Sequence, residues 1–441
     1  MNTLAQKALA RNSWGFSAGA GLAILAFINL FNYLDRYVVS AVFESLKHSL
    51  ALSDTNLGSL ISAFLLVYTF AAPVFGALGD RRNRPRLIAL GVFIWSLATA
   101  LSGFAGSYLW LLGARASVGI GEAAYGTIAP SLLADYFPET KRGRIMAIFF
   151  CAIPVGSALG YVVGGLVDEH WGWRAAFFVA GGPGIALALL CLWLRDPPRG
   201  SQDGTTAVAM ADADRARAAP AGASLRAETW ATYRRLFANI PYRLTVLGYA
   251  AYTFAIGGLA AWMPAFLERV RGYPVGEATI SFGKIVVITG LVGTFVGGWL
   301  GDYCRRFSRE AFLWLCAGAT LLAAPFVWGA LTTTSTSHYF VYMVVGQLLM
   351  FVSTGPVNAA ILNLVAANER ASAVALSVFS IHMLGDVFSP TLIGLVSDAT
   401  SLAQAVKIVP VAVVVAGVLW CFASRAQARS AKAENFFGAL S

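Results

Sequence analysis

About twelve runs of roughly 20 apolar residues divide this 441-residue chain, near 20–42, 54–78, 87–106, 109–133, 144–167, 175–194, 242–267, 279–301, 311–331, 338–364, 372–397 and 403–424. Runs of that length leave the backbone one way to satisfy its polar groups inside hydrocarbon, the α-helix. With 58% hydrophobic and 12% charged residues the chain has too little polar surface to wrap a soluble body. It reads as an all-α membrane protein.

Charge orients the spans. Lys7, Arg11, Arg81, Arg82, Arg84, Arg86, Lys141, Arg142 and Arg144 fall in segments on one side, together with the arginines of the middle loop. Arg305, Arg306, Arg309, Arg370, Arg425, Arg429 and Lys432 join them, whereas the other side has only Lys47, Arg174, Arg269, Arg271 and Lys407. The positive-inside rule then puts both termini in the cytoplasm. The net charge of +10 is mostly topology, and basic residues scattered over loops give no nucleic-acid face. No signal-peptide cleavage pattern precedes the first run, which is expected to be an uncleaved anchor. The excess of Arg over Lys, with abundant Ala and Gly, suggests a bacterial inner membrane.

Cys151, Cys191, Cys316 and Cys421 fall in spans and Cys304 in a loop, so neither an exported disulfide nor a metal spacing is expected. No cofactor is implied. An enzyme is also disfavoured, because no nucleophile–base constellation or phosphate loop occurs.

The middle loop, about Arg195 to Tyr242, is Pro-, Gly- and Ala-rich with alternating charge and is expected to lack a core. It separates an N-terminal six-helix half (1–194) from a C-terminal one (242–441), with 195–241 as cytoplasmic loop. Each half carries one short signature after its second span: Gly76-Ala-Leu-Gly-Asp80 and Gly298-Trp-Leu-Gly-Asp302. Internal repeats of this kind build many secondary transporters, with the site between the halves near midplane.

Gly76-Ala-Leu-Gly-Asp80-Arg81-Arg82-Asn83-Arg84 resembles the loop motif of the major facilitator superfamily, with Asn83 where Gly is usual. Within that superfamily, NYLDRYVVSAV in span one, RASVGIGEAAYGTIAPSLLADYFP in span four, IPVGSALGYVVGG in span five and HMLGDVFSP in span eleven resemble the spinster group of lipid transporters. YTFAIGGLAAWMPAFL in span seven extends the resemblance over the whole chain. It implies twelve helices in two pseudo-symmetric halves and a proton-linked monomeric carrier of lysophospholipid or sphingoid-phosphate type.

The charged residues inside the spans carry the mechanism. A carboxylate at the depth of Asp35 costs roughly 2.5–3.5 kcal/mol by insertion scales, so it is there for a partner, a proton or both. Asp35 lies ~20 Å above the cytoplasmic end of span one and Arg115 ~21 Å above the same face on span four, at 1.5 Å per residue. The two can pair, and protonating Asp35 would free Arg115 for an anionic headgroup. The alternative is a fixed structural pair. Glu122, two turns from Arg115 on one face of span four, is expected as a second proton carrier or else as a neutral acid between packed helices. Arg36 points about 100° away from Asp35, and Asp35 is favoured for the cavity.

His382 and Asp386, at i and i+4 on span eleven, can interact directly, either in transport or as a packing pair. Lys284 lies close enough to the outer surface to snorkel, with a headgroup contact as the alternative. Asp80 is expected to face the N-terminus of span eleven, and Asp302 the start of span five near Arg142. With Arg81 and Arg84 they would form a cytoplasmic gate. Gly156, Gly160, Gly164 and Gly165 repeat at one-turn intervals that let a neighbouring backbone come close. They resemble the superfamily's antiporter motif, although Tyr161 replaces its Pro, so exchange does not follow.

The polar inventory of the spans is small. Asn32, Tyr33 and Asn358 join Arg115, Glu122, His382 and Asp386 as expected cargo contacts, too few for a sugar's hydroxyls and suited to an amphiphile with one charged head. An exporter of drugs or small organic anions is the alternative cargo reading; a sensor without turnover would have no use for a proton carrier.

Overall fold

The computed structural model describes residues 16–198, 202, 225–308, 310–365 and 369–438. Most of the middle loop lies outside them, and so do Lys7, Arg11 and Arg309. Twelve long helices cross the molecule in alternating directions. In the N-terminal half they are α1 (Ala18–Ala41), α2 (Asp54–Arg81), α3 (Arg84–Ser102), α4 (Tyr108–Tyr136), α5 (Glu139–Trp171) and α6 (Trp173–Cys191). The C-terminal half has α7 (Ile240–Arg269), α8 (Val275–Arg305), α9 (Ala311–Thr332), α10 (Thr336–Asn363), α11 (Ser372–Ala399) and α12 (Ile408–Gly438). Among the described residues, eleven helices are long and apolar enough to cross a membrane. The twelfth, α4, is 29 residues long but carries Arg115, Glu122 and Asp135.

Local chemistry sets the starts of these helices. Ser17, Asn83, Ser107, Asn239 and Ser335 each accept a first-turn backbone N–H, and Ser53 forms a reciprocal capping box with Asn56. A short helix, Phe43–Leu50, lies between α1 and α2 at the face away from the start of α1, here the distal face. The opposite face, where α1 begins, is proximal.

Three expectations need correction. The middle loop contains a helix, Leu225–Ala238, whose Leu236 is buried against Tyr242, Val246, Ile361 and Ala373. Arg235 of that helix pairs with Glu369 at 2.6 Å. Composition predicted no core because the apolar partners lie on other helices. The tenth span breaks at Ser353 between Thr336–Val352 and Thr354–Asn363. The eleventh contains a π-helical turn, His382–Asp386, in place of continuous α-helix. There Gly385 packs on α7, where a Cβ would come 2.2 Å from Thr253 Oγ1.

The glycine ladder of α5 does bring backbones together. A Cβ on Gly156 would stand 2.4 Å from the Leu30 carbonyl oxygen, and one on Gly160 2.5 Å from that of Leu34. This contact sets the rotation of α1 about its own axis. Gly160→Ala is therefore expected to lower stability by about 1–3 kcal/mol, since it forces the two helices apart. Thermal unfolding of the purified protein checks this, and an unchanged midpoint would mean that the helices separate freely.

The halves meet along α2 with α11 and α5 with α8. Close approaches begin at the distal face, where Gly394 abuts the Asp54 carbonyl and Gly276 abuts Glu169, and continue to Gly290 on Pro154 and to Tyr68 beside His382. Toward the proximal face α2 is exposed at Pro73, Val74, Ala77, Leu78 and Arg81, as is the following Arg82. The close approaches between the halves thus run from the distal face to mid-height.

Candidate functional site

Two ion pairs cross between α1 and α4 near the middle of the N-terminal half. Arg115 donates from Nη1 to Asp35 Oδ1 at 3.1 Å, and Thr99 of α3 donates its hydroxyl to Asp35 Oδ2 at 2.5 Å. Arg36 donates from Nη2 to Glu122 Oε2 at 2.7 Å and from Nε at 3.3 Å. Asp35, Arg115 and Glu122 are buried, with Arg115 and Glu122 fully removed from the surface. The pairing of Asp35 with Arg115 follows the depth expected from helix rise. The pairing of Arg36 with Glu122 does not follow from spacing and was missed, as was Thr99.

The helix step separates Asp35 from Arg36, but the direction is the reverse of the one expected. Asp35 points into the half, toward α3 and α4, whereas Arg36 faces the space between halves. There it lines a cavity of ≈ 70 Å³ with Tyr37, Ser40, Gly257, Asp386 and Pro390. The preference for Asp35 as the cavity residue is thus corrected. A 100° step decides only that two neighbours diverge. The glycine contact of α5 with Leu30 and Leu34 decides which of them meets the gap.

Aromatic rings hold the Arg36 guanidinium in place. Its carbon lies 4.8 Å from the Tyr33 ring centroid, 5.0 Å from Phe64 and 5.4 Å from Tyr68. Cation–π attraction is stronger where water is excluded. Among the described residues, Asn32 Nδ2, Arg115 Nε, Glu122 Oε1 and Ser389 Oγ are buried without a protein hydrogen-bond partner. Buried polar groups are ordinarily satisfied, so each leaves capacity for a further partner.

The other expected cargo residues are distributed around the gap. On α11 His382 Nδ1 lies 2.9 Å from Asp386 Oδ1, and its ring stands edge-on to Tyr68 of the opposite half at 6.2 Å. Asp386 shares the cavity wall with Arg36. Asn358 is exposed and donates to the Thr354 carbonyl at 2.8 Å and to the Tyr249 hydroxyl at 3.3 Å. Lys284 is exposed on α8 and absent from this cavity wall, in line with its snorkelling reading.

Of the expected gate residues, the side chains of Asp80 and Arg142 lie outside the described set. Arg81 and Asp302 are exposed. Arg84 is buried and bound to Asp135 of its own half and, at the start of the middle loop, to Asp196 at 2.8 Å and the Pro197 carbonyl at 2.6 Å. It ties the start of α3 to the end of α4 and the segment after α6, so it makes no contact across the gap.

Among the described residues, an ion-pair seal between the halves lies at the distal face. Arg269, ending α7, pairs with Glu44 and with Asp54, each at 2.5 Å. Asp54 also accepts from Lys47 at 2.6 Å and from the Ser397 hydroxyl. Asp398, ending α11, accepts the backbone N–H groups of Asp54 and Thr55 at 2.7 and 2.8 Å. A carboxylate of one half thus caps the first turn of α2 in the other, where free N–H groups and the helix dipole favour an anion. The arrangement is the one expected of Asp80, transferred to the opposite end of the same helix pair. Glu44, Arg269 and Asp398 were missed as site residues. The usable signal was the scarcity of cations on this side, because Lys47 and Arg269 both have acids near them in the same predicted loops.

Comparison with known proteins bears on this geometry. Residues 25–390 match the model of the Major Facilitator Superfamily. The chain is 36% identical to human (Homo sapiens) Protein spinster homolog 1 over 396 residues, covering 86% of this chain and 72% of that one. It is 33% identical to Protein spinster of Drosophila melanogaster, covering 88% of this chain and 63% of that one. A crystal structure of a bacterial homologue of the human lysosomal transporter Spinster, inward-facing and unoccupied, superposes with a TM-score of 0.80 at 25% identity, covering 93% of this chain and 97% of that one. The occupied, inward-facing form of such a homologue gives 0.79.

Proposed function

The chain belongs to the major facilitator superfamily, among the spinster transporters, and from that membership we propose a proton-coupled carrier of an anionic amphiphile, of lysophospholipid or sphingoid-phosphate type. It is a multi-pass membrane transporter of small molecules, not an enzyme. In the proposed orientation both termini are cytoplasmic, in a bacterial inner membrane. The closed distal face is then extracytoplasmic and the state inward-open.

The observation that carries the reading is the Arg36–Glu122 pair at the edge of the gap. An anionic headgroup entering from the proximal side would compete with Glu122 for Arg36. A proton taken up by Glu122 would leave Arg36 free to hold the headgroup, and loss of that proton would restore the pair. Asp35 and Arg115 would communicate with this exchange through α1 and α4, which carry both pairs. Tyr33, Asn32, His382, Asp386 and Asn358 would line the path of the cargo. Asn32 and Glu122 offer unsatisfied polar atoms for it, while the surrounding Phe and Leu side chains suit its tail. The halves 1–194 and 242–441, joined by 195–241, would rock about the gap as separate bodies, each a monomer's half.

Uptake of labelled lysophospholipid into proteoliposomes, with and without an imposed proton gradient, tests the reading. Gradient-driven uptake is expected for the unaltered protein, and Asp35→Asn is expected to lose the gradient dependence, with thermal unfolding run beside it because the exchange leaves the buried Arg115 without its counter-charge. A full gradient response in Asp35→Asn would remove Asp35 from coupling. No lysolipid movement by folded, unaltered protein would favour drugs or small organic anions as cargo.

A further inference from the structure

A second cavity lies away from the gap, on the outer surface of the C-terminal half. It has a volume of ≈ 460 Å³ and is walled by α8, α9 and α10, including Val296, Leu300, Trp314, Leu315, Gly318 and Val352. Its wall is entirely apolar or small, and a Cβ added at Gly318 would meet no atom within 4 Å. The volume falls within the roughly 300–1,000 Å³ range of small-molecule sites.

Its depth is informative. At 1.5 Å per residue, Leu300 lies ~8 Å and Val296 ~14 Å from the proximal end of α8, while Trp314 lies ~5 Å into α9. The groove therefore occupies about half of a ~30 Å hydrocarbon core, the thickness of one leaflet. At its proximal mouth α8 ends in exposed Arg305 and Arg306. The Arg305 guanidinium stands 5.4 Å from the Phe312 ring, two residues before Trp314, and that of Arg306 stands 5.9 Å from the Tyr303 ring. Both cations stand at the proximal end of α8, one to two turns beyond Leu300 of the slot wall.

We propose that this groove binds an anionic phospholipid of the proximal leaflet, one acyl chain lying along Gly318 and the phosphate held at Arg305 and Arg306. The charge pattern selects this occupant. An uncharged acyl chain would fill the slot equally well, but two cations at the leaflet surface favour an anionic head. Because α8 also packs on α5 across the halves, a lipid seated here touches a helix that takes part in their contact without entering the cargo path.

Trp314 gives the groove its own reporter. In vesicles containing a dibrominated lipid, the Trp314 signal is the difference between the protein and Trp314→Phe. Dibrominated phosphatidylglycerol is expected to quench it at roughly 30-fold lower mole fraction than dibrominated phosphatidylcholine, as two basic residues at a leaflet surface predict. Gly318→Leu, whose Cβ would stand in open space on the slot wall, is expected to abolish the quenching. Arg305→Gln with Arg306→Gln is expected to equalise the two lipids. Equal quenching by both lipids in the unaltered protein, quenching unaffected by Gly318→Leu, or no quenching because a second copy of the chain covers the groove would each overturn the proposal.

Discussion

Arg115→Ala is expected to destabilise the protein by about 3–5 kcal/mol, the loss typical of stranding one member of a buried ion pair. Arg115 has no exposed surface and Asp35 almost none. Removing the guanidinium leaves a carboxylate in the interior with the Thr99 hydroxyl still donating to it. Adding Asp35→Asn should recover part of the loss, because an amide carries no charge to desolvate. Thermal unfolding in detergent of the single and double variants measures both effects. A small loss for Arg115→Ala, or no recovery in the double variant, would mean that the pair is not a buried electrostatic unit. The result also separates two ways of losing transport in Arg115→Ala, disruption of the half and removal of a cargo contact.

Arg269→Ala is expected to open the distal face. Its guanidinium bridges Glu44 and Asp54, both in the N-terminal half, from the end of α7. A hydrogen bond to a charged group contributes about 1.5–3 kcal/mol, and partial exposure of Arg269 places the loss at the lower end. A loss of about 2 kcal/mol shifts a two-state equilibrium roughly 30-fold. Spin labels on the distal ends of α2 and α11 should then report a second, longer distance that is minor in the unaltered protein. Asp54 would keep Lys47 and Ser397 as partners, so the protein should stay folded. A single unchanged distance would show that the Asp398 cap and the glycine contacts hold the face closed without Arg269.

The two variants draw on residues of different legibility. Asp35 and Arg115 were readable because each is a charge inside an apolar run, and helix rise places both at one depth. The glycine ladder of α5 was readable because its spacing repeats once per turn. The distal seal was not. Glu44, Asp54, Arg269 and Asp398 stand near helix ends, where charged residues are ordinary, and their meaning comes from contacts between segments hundreds of positions apart. Arg84 misled for the same reason: a loop arginine in a recognisable motif gave no sign that Asp135 of its half and Asp196 of the middle loop bury it.

By itself the sequence determined the number of spans, their helical state, their division into two halves, the family, and the depth of the buried charges. Those properties depend on hydrophobicity and on a constant rise per residue, both local. Tertiary structure alone decided which way each charge points and which face is closed. A 100° step makes Asp35 and Arg36 diverge, but only the packing of α1 on Gly156 and Gly160 turns Arg36 to the gap and Asp35 inward. The rotation of a helix about its axis is set by its neighbours, and no period within α1 encodes them.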